Sequence, residues 1–519
     1  MTAPLKNRDA LLGSAEPLVR RATGSLISHQ HRGSHAPARE NARKPLRVMK
    51  FGGTSVADAS CITRVVDIVQ AAVLASDVVV VVSAMSGVTN KLVEAAALST
   101  AGNREMVAAI FKDLKSRHES AASALIDSAE QRQRIDRTIR VLIRDASAIC
   151  EAAIIEGELT LRARDSIVGL GERLSAPLVA AALAARGVAS EAIEATELVV
   201  TDACHGAAEP QLDLTRERCE ARLRPLLLQG TVAVVTGFIG ATVDGALTTL
   251  GRNSSDFSGT IVGAALDADE VTLWTDVDGI LTADPRIVPD ARSILEMSYS
   301  EAADLAELGA KVLHPKTLRP VMQRGIPLSI RNTFAPDLPG TKITAAGPCG
   351  VSEVKALAAA ADVALITLRG SSDEDLQDVL RRALSAAATA QAEVRLVARS
   401  SSSPNEVSFV VSSGLVEATT DALRREFARE LAHGTPGRLD VDSSVAVLAV
   451  VGESPLRMHE LVGRVLDSLK EENLRVLASA HEASQSSISI VVAREDVKAA
   501  LVCVHRKLGL SEIRSSDIL

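Results

Sequence analysis

Four short runs in this chain are mainly apolar without strict alternation: residues 46–50, 78–82 (five consecutive valines), 231–235 and 271–274. Unbroken hydrophobicity of strand length marks strands buried on both faces, as in a parallel sheet. Helical patterns lie between them, including 137–155, 174–186 and 256–266. Alternation of this kind predicts an α/β sheet with helices on both sides. Each run ends in a polar, glycine-containing loop: FGGTS at 51–55, SAMSGVTN at 83–90, TGFIG at 236–240 and TDVDG at 275–279. Open sheets of this class bind ligands beyond the carboxyl ends of their strands. One such loop alone is an ordinary turn. Four together predict a site of Gly, Ser, Thr, Asp and Lys groups, suited to phosphate and amino-acid ligands.

Composition narrows the reading. The chain has 519 residues, enough for two to four domains, and at 47% hydrophobic and 24% charged it can bury large cores. A formal net charge of −8 and only seven Phe, one Trp and one Tyr disfavour a nucleic-acid surface, which needs basic excess or stacking rings. Cys61, Cys150, Cys204, Cys219, Cys349 and Cys503 include no Cys-x-x-Cys pair, so neither a disulfide framework nor a zinc site is expected. No run looks long enough to span a membrane, and the cytoplasm is the expected location. Residues 1–45 hold eight Lys/Arg against three Asp/Glu, three of the ten histidines and no sustained periodicity. They read as a disordered extension, a misassigned start or a targeting peptide.

The familiar nucleotide motifs are missing. Without a Gly-Lys dipeptide there is no Walker A loop. Gly169-Leu170-Gly171 starts like a dinucleotide fingerprint but has Leu174 where the third glycine belongs. Neither HRD nor DFG is present, which excludes a protein kinase.

The motifs KFGGTS (50–55), SAMSGVTN (83–90), GERLS (171–175), TGFIG (236–240), GRNSSD (251–256), WTDVDGILTADPR (274–286) and GAKVLHP (309–315) occur in that order. Across residues 46–345 the chain resembles the aspartate kinases of the amino-acid-kinase fold. The spelling is most similar to the kinase half of bifunctional aspartokinase–homoserine dehydrogenases. No second nucleotide fingerprint follows before Leu519, so a dehydrogenase half is not expected.

The resemblance implies transfer of the ATP γ-phosphoryl group to the β-carboxylate of L-aspartate. Both reactants are anions, so charge neutralisation and in-line positioning must carry catalysis. Lys50 and Asp256 map to the catalytic positions, with Lys50 the cation on the transferring group. Thr89, Glu172, Phe238, Arg252, Ser255 and Asp256 map to the aspartate pocket; Arg252 offers a fork that a lysine cannot copy. Lys50, Gly52, Gly53, Ser83, Thr275, Asp276, Leu281, Arg286, Lys311 and Val312 map to the ATP side. The two glycines let backbone N–H groups approach phosphates. Two departures stand out: Asn253-Ser254 where glycine often follows the arginine, and Leu281 at a position usually aromatic, which removes a stacking contact with adenine. Ser298 and Glu301 have the spacing of a capping box, with Gly309 expected to close that helix. No metal-ligating cluster is visible, and Mg²⁺ would arrive with ATP.

Residues 346–519 contain a weak duplication: 363–368 with 445–450, 394–397 with 474–477, and 406–411 with 487–492. Each unit resembles an ACT domain, here divided as 346–440 and 441–519 with the pair interleaved. The expected whole is a three-layer αβα sandwich with a mainly parallel sheet, followed by two α+β ACT domains. The implied protein is a homodimer or higher homo-oligomer with a threonine or lysine effector at the ACT pair. The loop after Gly370 (SSDED) departs from the family. Alternatives are a kinase of another amino-acid carboxylate, such as glutamate or N-acetylglutamate, and a catalytically silent ACT sensor.

Overall fold

The computed structural model describes residues 44–511, apart from the segments 252–253, 309–312, 348–353, 370–375, 400–405, 433–437, 453–457 and 482–486. Expectations for residues 1–43, Arg252, Gly309, Lys311, Val312 and the loop after Gly370 therefore lie outside the described residues.

The first region contains the strands β1 (Leu46–Phe51), β2 (Asp77–Val82), β3 (Ser190–Ile193), β4 (Val200–Thr201), β5 (Val232–Thr236), β6 (Ile239–Thr242), β7 (Leu247–Thr249), β8 (Glu270–Thr275), β9 (Glu296–Ser298), β10 (Leu328–Asn332) and β11 (Thr341–Thr344). Its helices are α1 (Ala59–Ala72), α2 (Val88–Thr100), α3 (Arg104–Leu125), α4 (Ala129–Glu156), α5 (Leu161–Val168), α6 (Leu170–Ala185), α7 (Leu212–Leu228), α8 (Ser255–Ala265), α9 (Tyr299–Glu307) and α10 (Pro315–Arg324). Eight strands form one sheet in the order β3-β5-β2-β1-β8-β10-β11-β9. Every pairing in it is parallel except β10 with β11. A small sheet, β4-β6-β7, stands beside it.

The valine run of β2 shows why these strands read as unbroken. Val79 and Val81 enter a core shared with Leu223 of α7, Ile261 of α8 and Leu318 of α10. Val78, Val80 and Val82 enter the opposite core, with Ile62 of α1, Leu114 of α3 and Leu178 of α6. Successive side chains point to opposite faces, so both parities must be apolar when helices cover both. Each buried valine contributes about 1.5–3 kcal/mol. A charge at Val80 would break the central layer.

Two expectations need correction. The fourth helix begins at Ala129, not near 137, because Ser128 accepts a hydrogen bond from the N–H of Gln131 as its N-cap. Its first two turns bury nothing before Ile139, so no apolar face announced them. Second, one stretch is apolar enough by length and composition to cross a membrane: Leu161–Ala185, which covers α5 and α6. Burial explains it, since 78% of its apolar window lies inside the protein.

The second region contains β12 (Ala356–Ala360), β13 (Val363–Arg369), β14 (Val394–Arg399), β15 (Glu406–Ser412), β16 (Arg438–Asp442), β17 (Val445–Val451), β18 (Val476–His481) and β19 (Ser487–Ala493). Its helices are α11 (Leu376–Thr389), α12 (Val416–Glu426), α13 (Ala428–Ala432), α14 (Met458–Glu471) and α15 (Val497–Lys507). Two antiparallel sheets result, β14-β15-β13-β16 and β12-β17-β19-β18. The duplicated segments fall on equivalent strands, and the register slips at the same place in both copies, at Val394/Leu396 and at Val476/Ala478. The sheets pack on each other through Val363, Val410, Val445, Val447 and Val491. Strand β12 precedes the first sheet in sequence yet completes the second. The fold class is the one expected: an αβα sandwich with a mainly parallel sheet, then two α+β units.

Candidate functional site

Lys50 is the penultimate residue of β1, where the central strand delivers a cation to the carboxyl edge of the sheet. It is buried, and its Nζ lies 2.5 Å from Oδ1 of Asp256 in the first turn of α8. The close approach depends on Gly259, where a Cβ would fall 2.9 Å from Cβ of Lys50. A buried, unpaired ammonium would be costly, and Asp256 offsets that cost while holding the amine in place. The N–H of Gly52 is donated to the carbonyl of Trp274 at 2.9 Å, so this amide braces the β1 loop against β8.

Beside this pair lies a cavity of about 320 Å³ whose lining includes Ser83, Thr89, Glu172, Phe238 and Ser255. Two helix N-termini meet it, with Thr89 in the first turn of α2 and Ser255 in that of α8, and Glu172 lies just past Gly169, where α5 runs on into α6. Helix starts carry free N–H groups and partial positive charge, which favours a bound anion.

Glu172 is the unusual member. It is buried, and Oε1 accepts from the N–H of Ala84 at 3.1 Å. Oε2 is buried with no partner among the described residues. Burial pushes its carboxyl up to about 8, against the pull of the Ala84 N–H and of Lys50. A second close approach fixes its place: a Cβ on Gly171 would lie 2.5 Å from Cβ of Ala84, so only glycine lets α6 start against the 83–90 loop. Ser175 Oγ donates to the carbonyl of Ser83 at 2.7 Å and closes the same seam.

Phe238 sits at φ 67°, a left-handed conformation that costs a non-glycine residue about 1–3 kcal/mol. Two bonds hold it: its N–H donates to Ser258 Oγ at 2.7 Å, and its carbonyl accepts from the N–H of Leu250 at 2.9 Å. Strain maintained at a cavity wall is a mark of function.

The other expected residues are placed differently. Thr275 ends β8 and donates to Asp276 Oδ1 at 3.2 Å, and Asp276 is exposed. Leu281 pairs with Ser293 in a short antiparallel bridge. Arg286 is exposed and folds back on Asp284, with Nε at 2.9 Å and Nη2 at 2.6 Å from its carboxylate oxygens. None of these four lines the cavity.

Residues 45–332 match the amino acid kinase family. The chain belongs to that family. Within it the chain groups with the aspartokinases, being 31% identical over 469 residues to lysine-sensitive aspartokinase 3 of Escherichia coli K12, with 89% of this chain and 98% of the relative covered. It is 32% identical over 475 residues to bifunctional aspartokinase/homoserine dehydrogenase 1 of Arabidopsis thaliana, covering 89% of this chain and 51% of that protein. The chain thus spans about half the length of the bifunctional relatives it matches. The crystal structure of E. coli aspartokinase III with aspartate and ADP is similar at a TM-score of 0.73 and 28% identity, covering 89% of this chain and all of that one.

Sequence reading missed part of this aspartokinase-family cavity. Arg164 and Asp165 on α5, Gly206 in the loop before α7 and Thr249 at the end of β7 also line it. Asp165 precedes Glu172 by two helical turns, a spacing that places both near one face and was a usable signal. Gly206 and Thr249 carried none, because nothing local distinguishes them from ordinary loop and strand-end residues.

Proposed function

We propose that this chain is an aspartate kinase that transfers the γ-phosphoryl group of ATP to the β-carboxylate of L-aspartate, giving 4-phospho-L-aspartate. The observation that carries this reading is the buried Lys50, paired with the half-buried Asp256 beside a cavity walled by Glu172 with its spare oxygen. The E. coli relative crystallised with aspartate and ADP supports it.

A carboxylate oxygen of the acceptor attacks the γ-phosphorus. The bond from that phosphorus to the bridging oxygen breaks, and ADP leaves with the electron pair. The nucleophile is already an anion, so no base need remove a proton. What the site must supply is positive potential and alignment. Lys50 neutralises charge on the transferring group and Asp256 orients it. Glu172 meets the acceptor ammonium with Oε2, and Thr89, Phe238 and Ser255 shape the pocket. Arg252, which follows Gly251 in the chain, grips an acceptor carboxylate. Ser83, Gly52, Gly53, Thr275, Asp276, Leu281, Arg286, Lys311 and Val312 form the nucleotide side. Gly52 contributes there by bracing the loop, since its N–H is already donated.

Mg²⁺ enters with ATP. Mg²⁺ takes hard oxygen donors, few of them from protein and the rest from phosphates and water. Asp276 is the carboxylate at the strand ends that would meet it, and the ion would neutralise phosphate charge. The ACT-like pair binds an amino-acid effector, threonine or lysine, and joins two copies in a homodimer in the cytoplasm. The lysine sensitivity of the E. coli relative supports an effector of this class.

The test is ADP release from MgATP with L-aspartate, L-glutamate or N-acetyl-L-glutamate as acceptor. Turnover with aspartate at least tenfold above the others is expected. Preference for either other acceptor would overturn the substrate assignment.

A further inference from the structure

A carboxylate outside all the quoted motifs organises one wall of the acceptor cavity. Asp165 is buried in α5, and four donors from two other segments converge on its two oxygens. Oδ2 accepts from His205 Nδ1 at 2.9 Å, from the N–H of Gly206 at 3.0 Å and from the N–H of Thr249 at 3.2 Å. Oδ1 accepts from Thr249 Oγ1 at 2.6 Å. Among the described residues Glu172 keeps a buried oxygen without a partner, whereas Asp165 has both of its oxygens engaged. The two acids on the cavity wall therefore have different work: Glu172 has an oxygen left for a ligand ammonium, and Asp165 does not.

What Asp165 holds is a continuous wall. Gly206, Thr249 and Gly251 all line the cavity. The Ala208 N–H donates to the carbonyl of Thr249 at 2.9 Å and laces the two segments together. Ser254 Oγ donates to the carbonyl of Gly251 at 2.6 Å and continues the connection into α8, which carries Ser255 and Asp256. We propose that Asp165, with His205 as its surface arm, is a positioning residue for the acceptor amino acid: it sets the wall of Gly206, Thr249 and Gly251 against the wall of Glu172. The inference rests on the aspartate kinase reading. It singles out the acceptor, because the wall held by Asp165 lines the same cavity as Glu172, whereas residues 275–286 do not line it.

An Asp165→Asn change keeps the shape but turns an amide NH₂ toward a crowd of donors, leaving buried groups unpaired. His205→Gln and Thr249→Val each remove one arm and are mild enough to fold. Steady-state kinetics on the full chain should show KM for aspartate raised about tenfold in Asp165→Asn and about threefold in each milder variant, with KM for ATP within twofold. The inference is overturned if both milder variants leave KM for aspartate unchanged, or if KM for ATP rises in parallel. Amide hydrogen exchange gives a second readout independent of turnover. Peptides containing Gly206 and Thr249 should lose protection in Asp165→Asn and His205→Gln, and unchanged protection would sink the clamp. If the unaltered chain released no ADP with aspartate, the functional reading would have failed, and the exchange result would still decide whether Asp165 holds the wall.

Discussion

The two sides of the proposed site, for the acceptor and for the nucleotide, are built by different means. The acceptor side rests on first turns of helices and ends of buried strands: Glu172, Ser254 and Phe238 are each less than a tenth exposed, Glu172 is bonded to the 83–90 loop and Phe238 to α8, and Ser254 closes its own loop on Gly251. The nucleotide side is a long excursion after β8, with Asp276 and Arg286 in solvent. That excursion is fastened to the second region. Thr282 Oγ1 is hydrogen-bonded to His505 Nε2 of α15 at 3.0 Å, and the N–H of Leu357 donates to the carbonyl of Thr282 at 2.8 Å. Ala283 and Val288 are buried in the core of the second antiparallel sheet. A buried ion pair between Lys355 and Glu301, 2.8 Å apart, joins the approach to β12 to the capping box of α9. The cavity is thus shaped within the first region, whereas the loop after β8 is held both by the first region, through Asn332 to Asp278 and Thr341 to Ile280, and by the second. On the proposed roles, a shift of that sheet would reach the nucleotide side before the acceptor side.

The sharpest way to break the comparison is at the junction of the two sides. Lys50→Ala should lower kcat by roughly 10²–10³-fold, the scale for losing one electrostatic donor at a reacting centre. Turnover within threefold of the unaltered chain, in a folded variant, would remove Lys50 from the chemistry.

Glu172→Gln tests the acceptor side alone. In the empty site Glu172 keeps its proton, and an arriving ammonium favours the ionised carboxylate; glutamine cannot supply that charge, so KM for aspartate should rise about tenfold with KM for ATP unchanged. It also predicts a stability signature. The Glu172 carboxyl is held up to about 8 in the folded chain, above the ordinary glutamate range. Between that range and pH 8 the unfolded chain has lost the proton and the folded chain keeps it, so stability falls as pH rises. Thermal melts of Glu172→Gln should be flatter across this window than those of the unaltered chain, and parallel curves would refute the assignment.

The smallest effect should come from Thr282→Val. It removes a hydroxyl that bonds His505 and accepts from the N–H of Arg292 at 3.0 Å, a loss of about 1 kcal/mol. KM for ATP should rise severalfold with KM for aspartate unchanged. The opposite split would show that the second region supports the acceptor side instead.

Much of this was legible in the sequence, for physical reasons that can be named. Val78–Val82 had to form a strand covered on both faces because no other arrangement hides five valines in a row. The spacing of Ser298 and Glu301 announced a capping box, and both of its bonds are present. Lys50 stood out locally, before a glycine-rich loop, whereas Thr89, Glu172, Phe238 and Ser255 were singled out by the resemblance of their motifs, and the fold brings these four to one cavity lining with Ser83. The sequence by itself thus determined the layers, the edge of the sheet that carries the site and the duplicated second region. Tertiary structure alone decided that Asp165 would bind His205 and Thr249, forty and eighty-four residues away, and that Thr282 would find His505 at a separation of 223. It also decided that β12 would complete the later of two sheets. Such pairings depend on which surfaces meet once the cores have formed, and neither residue in a pair carries a local sign of its partner.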